Sequence, residues 1–286
     1  MTPSLRHPAG AGLGLRLGML GELLVDGQPR LPPEIGFFEI APENWMGMGG
    51  ARGRSLRVLT ERHTFVGHGL ALDLAGYAPL DTAHLYAIRR FLDEHGIGLY
   101  TEHLSYTRDD GHLHELLPVP RTEEAVRHVA ARIRIAQDVL GQRIGIENAS
   151  TYVGTPLDEM TEDDFVVAVT EEAGCDLHLD VNNVYVNGVN HGHDPQAWID
   201  HVADSIPGRV VYLHIAGHRR LAEDFIVDTH GEPVADPVWA LLDHTYTRLG
   251  VRPTLLERDY EIPPLAELLP ELRHIEALQV RHAGGA

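Results

Sequence analysis

The sequence predicts a (β/α)8 TIM barrel, an α/β fold built as a single domain over residues 1–286, on three observations. Eight short apolar runs alternate with longer stretches of helical period. The array fits in 286 residues, the size of one such barrel. Six of the eight runs end in a carboxylate or an imidazole, all at the same end. Strands that alternate with helices at this spacing are parallel, and their C-terminal ends converge on one mouth. A doubly wound open sheet would carry G-x-G-x-x-G after its first strand, and GLGLRLG from Gly12 to Gly18 lacks that spacing.

The first strand is expected at Gly12–Leu15, with a short helix near 18–25. The second, Gly36–Ala41, runs into Glu43-Asn44-Trp45 and a helix near 51–62. The third, Thr64–Leu72, carries His68 and precedes a helix at 82–95. The fourth, Gly98–His103, ends in Thr101-Glu102-His103; a helix at 121–140 follows, with Thr122 at its start and Gly141 at its stop. The fifth, Arg143–Asn148, ends in Glu147-Asn148, and Thr161 opens a helix at 161–174. The sixth, Asp176–Asn182, delivers Asp180, Asn182 and Asn183. Behind it come a loop with His191-Gly192-His193 and a helix at 194–204 that opens on Asp194-Pro195. The seventh, Arg209–Ala216, contains His214 and leads to His218; Asp228 and His230 lie in the loop before a helix at 236–250. The eighth, Arg252–Asp259, ends in Glu257-Arg258-Asp259 ahead of a helix at 263–278.

Composition excludes several chemistries. The single cysteine, Cys175, rules out an internal disulfide and any Cys-rich metal site; at the start of strand six it reads as a packing residue far from the mouth. All 23 basic residues are Arg, so no Schiff base to lysine is possible. Against 42 acidic residues they leave a net charge of −19, which repels phosphate backbones and argues against a nucleic-acid partner. No apolar run approaches the ~18 residues of a membrane span, and the N-terminal stretch lacks a signal-peptide core, so a cytoplasmic protein is expected.

Charged groups are costly to bury unless paired or bound to metal. A lone strand histidine is ordinarily a packed core residue, but His68, His103 and His214 fall at one mouth together with Glu147, Asp180 and Glu257. That mixture of imidazole and carboxylate, without thiolate, suits iron, manganese or zinc. Two or three ions bridged by carboxylates use the donors best. Asn44, Glu102, Asn148 and Asn182 adjoin these positions and are candidates to orient the ligands through hydrogen bonds.

The strings APENWMG, TEHLSY, HELLPVPRTEEA, IENASTY, LDVNNVYVN, HIAGH, DTHGEPVADPVW and LLERD-x-x-IPPL occur in this order from Ala41 onward. Together they resemble the signature set of the multinuclear non-heme iron-dependent oxidative enzymes, over roughly Gly12 to Leu278. The resemblance implies a (β/α)8 barrel with two or three Fe(II)/Fe(III) ions and molecular oxygen as co-substrate. It implies His68, His103 and Glu147 on one iron, and Glu147, Asp180, His214 and Glu257 on a second. Asp228 and His230, with Asn183 nearby, would serve a third. Glu147, Asp180 and His214 are then the candidate catalytic residues. Characterised members modify ribosomally made precursor peptides, usually at cysteine, and commonly receive the peptide from a separate protein or a fused domain. The chain ends soon after its eighth helix, so the resemblance implies a separate peptide-recognition partner. Tyr106, His112, His114 and Arg258 are candidate substrate contacts.

Three other readings fit a barrel with such a mouth. A divalent-metal sugar isomerase or lyase uses similar ligands but usually recruits a lysine base. A trinuclear-zinc phosphoesterase needs a positive surface for its substrate. A metal-storage protein would turn over nothing.

Overall fold

The computed structural model describes residues 6–108 and 111–284, without the side chains of His112, His114 and Glu115, so the two histidines among the expected substrate contacts lie outside the description. Eight parallel strands close a barrel in sequence order: β1 (Ala11–Gly14), β2 (Phe37–Ile40), β3 (Phe65–Gly69), β4 (Tyr100–His103), β5 (Gly145–Glu147), β6 (Asp176–Asp180), β7 (Val210–Ala216) and β8 (Thr254–Glu257), with β8 paired to β1. β1 begins one residue before its expected run, and each of the other seven sits inside the run expected to form it, with ends trimmed by up to three residues.

Among the described residues, eight helices of eleven residues or more cover the outside: α1 (Gly50–Thr60), α2 (Thr82–His95), α3 (Glu123–Leu140), α4 (Glu162–Ala173), α5 (Val181–His191), α6 (Pro195–Ser205), α7 (Asp236–Leu249) and α8 (Leu265–Ala283). Their ends follow the capping chemistry of the sequence. Thr122 and Thr161 accept hydrogen bonds from the backbone N–H of Ala125 and Asp164, and Gly141 takes the left-handed conformation at the α3 C-terminus.

Two expectations are corrected. The sixth strand stops at Asp180, because the Asp180 carboxylate accepts the Asn183 N–H at 2.7 Å and caps α5. Asn182 and Asn183 therefore stand in the first turn of an unforeseen helix, and His191-Gly192-His193 joins α5 to α6. The stretch near 18–25 holds a four-residue helix, Leu20–Leu23, and then turns into a small hairpin. Two further hairpins, Tyr106–Arg108 with His112–Leu117 and Arg219–Ala222 with Phe225–Val227, rise from the mouth-side loops after β4 and β7.

The period of two along each strand divides the interior into layers. Phe37, Val66, Tyr212 and Leu255 form an apolar cluster separate from the larger core between sheet and helices. Two residues further along the same four strands come Glu39, His68, His214 and Glu257, all buried. An apolar floor thus underlies a polar layer. Gly12 makes room for the floor: a Cβ there would lie 2.3 Å from Phe37 Cζ.

Cys175 is fully buried just before β6, and burial, aided by the Asp176 carboxylate, pushes its thiol up to about 12. The native protein should therefore leave a disulfide reagent unreacted at pH 8, whereas the urea-unfolded chain should release one equivalent. Fast labelling of the native protein would contradict this placement.

Candidate metal centre

Glu147, the last residue of β5, stands opposite His103 of β4 and His178 of β6 in register. Its Oε2 lies 3.1 Å from His68 Nε2 and 3.2 Å from His103 Nε2, and the two nitrogens are 3.2 Å apart. The far nitrogens are already committed. His103 Nδ1 donates to the Gly69 carbonyl at 3.0 Å, and His68 Nδ1 bonds the Thr101 hydroxyl at 2.8 Å. In its neutral form His103 thus turns an Nε2 lone pair toward Glu147. Glu102 braces this corner from behind, taking the His103 N–H at 3.2 Å and the Tyr100 hydroxyl at 3.0 Å.

A second group adjoins the first. His214 Nδ1 lies 3.0 Å from Glu257 Oε2, 3.5 Å from Glu147 Oε1 and 3.8 Å from Asp180 Oδ2. Its orientation comes from a residue that the sequence reading overlooked. Glu39 Oε2 accepts from His214 Nε2 at 2.8 Å and from the Tyr212 hydroxyl at 2.9 Å, so the proton is held on Nε2 and Nδ1 faces the carboxylates. His178, also overlooked, lies beside Glu147 and His214. For His178 the available signal was the two-residue step to Asp180, a donor already marked; nothing along β2 marked Glu39.

Farther out, His230 Nε2 lies 2.6 Å from Asp228 Oδ1, and His230 Nδ1 lies 3.5 Å from both Glu257 Oε2 and Asp259 Oδ2. Asn182 Nδ2 and the Ser150 hydroxyl donate to the two Asp228 oxygens at 2.8 and 3.2 Å, and His218 Nδ1 bonds Asn182 Oδ1. Asn148 clamps the β6 end, exchanging hydrogen bonds with the Asp180 backbone N–H and C=O, and its own carbonyl accepts from Asn183 Nδ2. His230 adopts a left-handed φ of 49°, held by its N–H on the Gly217 carbonyl and its carbonyl on the Asp259 N–H. Gly217 permits the close approach, since a Cβ there would lie 1.9 Å from the Glu232 carbonyl oxygen.

Two expected residues stand elsewhere. Asn44 is exposed on the rim of the mouth, while its neighbour Glu43 turns inward to the Leu70 N–H and His84. Arg258, expected to contact substrate, is buried; it donates to Glu271 at 2.7 Å and to the Gly231 carbonyl at 3.0 Å, so it pins the His230 loop instead.

The electrostatics are those of crowded, dehydrated charge. Burial and the nearby Glu147 and Asp228 push the Asp180 carboxyl well above its usual range. Burial opposes ionisation of Glu147 too, yet His178, His68 and His103 hold it well below. Burial works against charging His103, but Glu147 and Glu102 carry it up to about 9. Glu147 Oε2, Asp180 Oδ2, Asn183 Oδ1, His214 Nδ1 and His230 Nε2 are all buried without an aligned hydrogen-bond partner. Lone-pair donors that converge and lack partners fit multivalent cations. The mouth above them is a cavity of about 670 Å³ whose wall includes Leu70, Leu113, Leu116 and Tyr152, and Arg16 forms an ion pair with Asp259 at its edge.

These features define the class: a closed (β/α)8 barrel with clustered imidazole and carboxylate donors at its mouth. Endonuclease IV from Thermus thermophilus is similar in fold, with a TM-score of 0.61 and 17% identity over 96% of this chain and 99% of that one. A xylose isomerase domain protein from Planctomyces limnophilus gives 0.59 and 13%, over 98% and 100%. Over residues 10–280 the chain matches, and belongs to, the family described as RiPP precursor modification enzyme MbnB/TglH/ChrH, RiPPs being ribosomally synthesised and post-translationally modified peptides. Relatives include a UPF0276 protein of Nitrosospira multiformis, 54% identical over 96% of this chain and 95% of its own length, and one of Pseudomonas aeruginosa, 52% identical over 96% and 93%.

Glu39 offers a direct check on this geometry. Glu39→Leu removes the acceptor that fixes the His214 tautomer and should weaken metal binding about 10–100-fold, whereas Glu39→Gln keeps an acceptor oxygen and should lose less. Competition with a chelator reads the affinity, and unchanged circular dichroism shows that the barrel persists. Equal affinity in all three proteins would mean that Glu39 does not orient His214.

Proposed function

We propose that this protein oxidises cysteine in a ribosomally made precursor peptide, using two or three iron ions and molecular oxygen. The observation that carries the reading is the convergence of imidazole nitrogens and carboxylate oxygens without aligned hydrogen-bond partners at the barrel mouth of a chain from a family of RiPP precursor modification enzymes.

Donor atoms of His68, His103 and Glu147 lie within 4.8 Å of one another, as do those of Glu147, Asp180, His214 and Glu257. On the proposed reading each set holds one iron, with Glu147 shared. Asp228, His230 and Asn183 would serve an outer position, with Glu257 3.5 Å from His230. Iron held by these residues would supply Lewis acidity that lowers the pKa of a cysteine thiol, and redox chemistry with oxygen. The protein's own side chains hold and orient. Glu39, Thr101 and the Gly69 carbonyl fix three imidazoles, Asn148 fixes Asp180, and Asn182 with Ser150 fixes Asp228. Glu147, Asp180 and His214 lie at the centre of the donor set and are the proposed catalytic residues. The apolar side chains on the cavity wall suit a peptide segment. A separate peptide-recognition protein would deliver it.

Protein expressed with iron and handled without oxygen should carry at least two irons per chain. Glu147→Gln weakens two coordination spheres at once and should lose more than one equivalent. Glu171→Gln, exposed on α4 away from the mouth, should lose none. Elemental analysis decides: one equivalent of zinc or magnesium that iron cannot displace, or equal losses from both variants, would overturn the ligand assignment.

Incubation with oxygen and a Cys-containing peptide encoded beside this gene should remove hydrogens at Cys only, and Cys→Ser in the peptide should abolish the change. The outer pair sits on a loop, so Asp228→Ala with His230→Ala should keep most of the iron and react slowly. Mass spectrometry reads both. An unmodified Cys with oxidation elsewhere would refute the thiolate-anchored mechanism, and oxygen-independent turnover of a sugar would replace it with an isomerase.

A further inference from the structure

His178 is the imidazole that the proposed ligand sets leave unused. It is fully buried on the same face of β6 as Asp180, one layer deeper, and stands opposite Glu147 in register. Its ring meets that of His214 edge-on with centroids 3.9 Å apart, and that of His68 at 5.1 Å. Neither of its ring nitrogens has a hydrogen-bond partner. A buried polar group in that condition points to a bound water or ion. Donor atoms of Glu147, His178 and His214 lie within 4.8 Å of one another, and Glu147 Oε2 and His214 Nδ1 are themselves without aligned partners. Lone pairs from one carboxylate and two imidazoles meet there, which is a seat for a cation.

We infer that His178 is a metal ligand, adding a donor from the barrel interior to Glu147 and His214, which the set Glu147, Asp180, His214 and Glu257 already contains. The inference rests on the metal-centre reading proposed above. Two imidazoles and a carboxylate select a first-row transition ion over magnesium or calcium. His68, His103 and His214 each commit their second ring nitrogen, to Thr101, the Gly69 carbonyl and Glu39. His178 commits neither, so either nitrogen coordinates without breaking a hydrogen bond. The same freedom leaves it the least firmly oriented of the four, which sets its loss at about ten-fold in affinity.

Histidine-15N-labelled protein titrated with Zn(II), a diamagnetic stand-in, gives the direct readout. The His178 signal is assigned by its disappearance in His178→Leu or, should that variant not fold, His178→Gln. The expected result is that the His178 ring nitrogen shifts into the metal-bound range along with those of His68, His103 and His214. His178→Leu and His178→Gln should each bind Zn(II) and anaerobic Fe(II) about ten-fold more weakly. A His178 signal that stays put while the other three move, or variants with unchanged affinity, overturns the inference and leaves a buried water as the occupant. A chain whose histidine signals do not respond to either metal overturns the metal centre itself, and this inference with it.

Discussion

Everything at the mouth of this barrel depends on one buried carboxylate set among imidazoles. Glu147 lies within 3.5 Å of ring nitrogens of His68, His103 and His214, and His178 stands beside it in register. Asp180 and Glu257 crowd the same space, and their carboxyl groups respond in opposite senses: burial and the other carboxylates push Asp180 up, while His230 and His214 overcome burial and hold Glu257 down. Such a set has no single comfortable protonation state without added positive charge, which multivalent cations would supply.

The polar layer is possible because the layers around it are not polar. Phe37, Val66, Tyr212 and Leu255 fill the barrel beneath, and the large core between strands and helices locks each strand in place. A ligand layer on packed strands is positioned to within the tolerance that metal coordination demands. The outer donors are held differently. Asp228 and His230 lie on a loop, with a left-handed residue and a Gly217 contact to fix its path and Arg258 pinning it from the β8 side. The inner donors stand on rigid strands and the outer ones on a braced loop.

Fold likeness at 11–17% identity carries the architecture alone, since one barrel hosts many chemistries and each is decided by its site. In this chain the absence of lysine and the density of imidazole at the mouth separate the site from a sugar isomerase that relies on a lysine base. Among the described residues no helix is long and apolar enough to cross a membrane.

The sequence by itself determined the strand count, the parallel barrel and the end of each strand that carries chemistry, because period-two and period-3.6 patterns are local and eight βα units leave one closed solution. It also picked out Glu147, Asp180, His214 and Glu257, whose charges are conspicuous at the ends of apolar runs. Only the tertiary structure brought Glu39 against His214, 175 residues away in the chain, and showed His178 to lie among the donors. Glu39 sits within a strand, where a polar residue facing the barrel axis reads locally like one facing solvent, and His178 shares only its two-residue step with Asp180. The α5 helix escaped for a related reason: Asp180 ends a strand and caps a helix at once, and whether the chain continues or turns is settled by one carboxylate oxygen on the Asn183 N–H. Which face is inside, and what waits across the barrel, is a property of closure, and no window along the chain contains it.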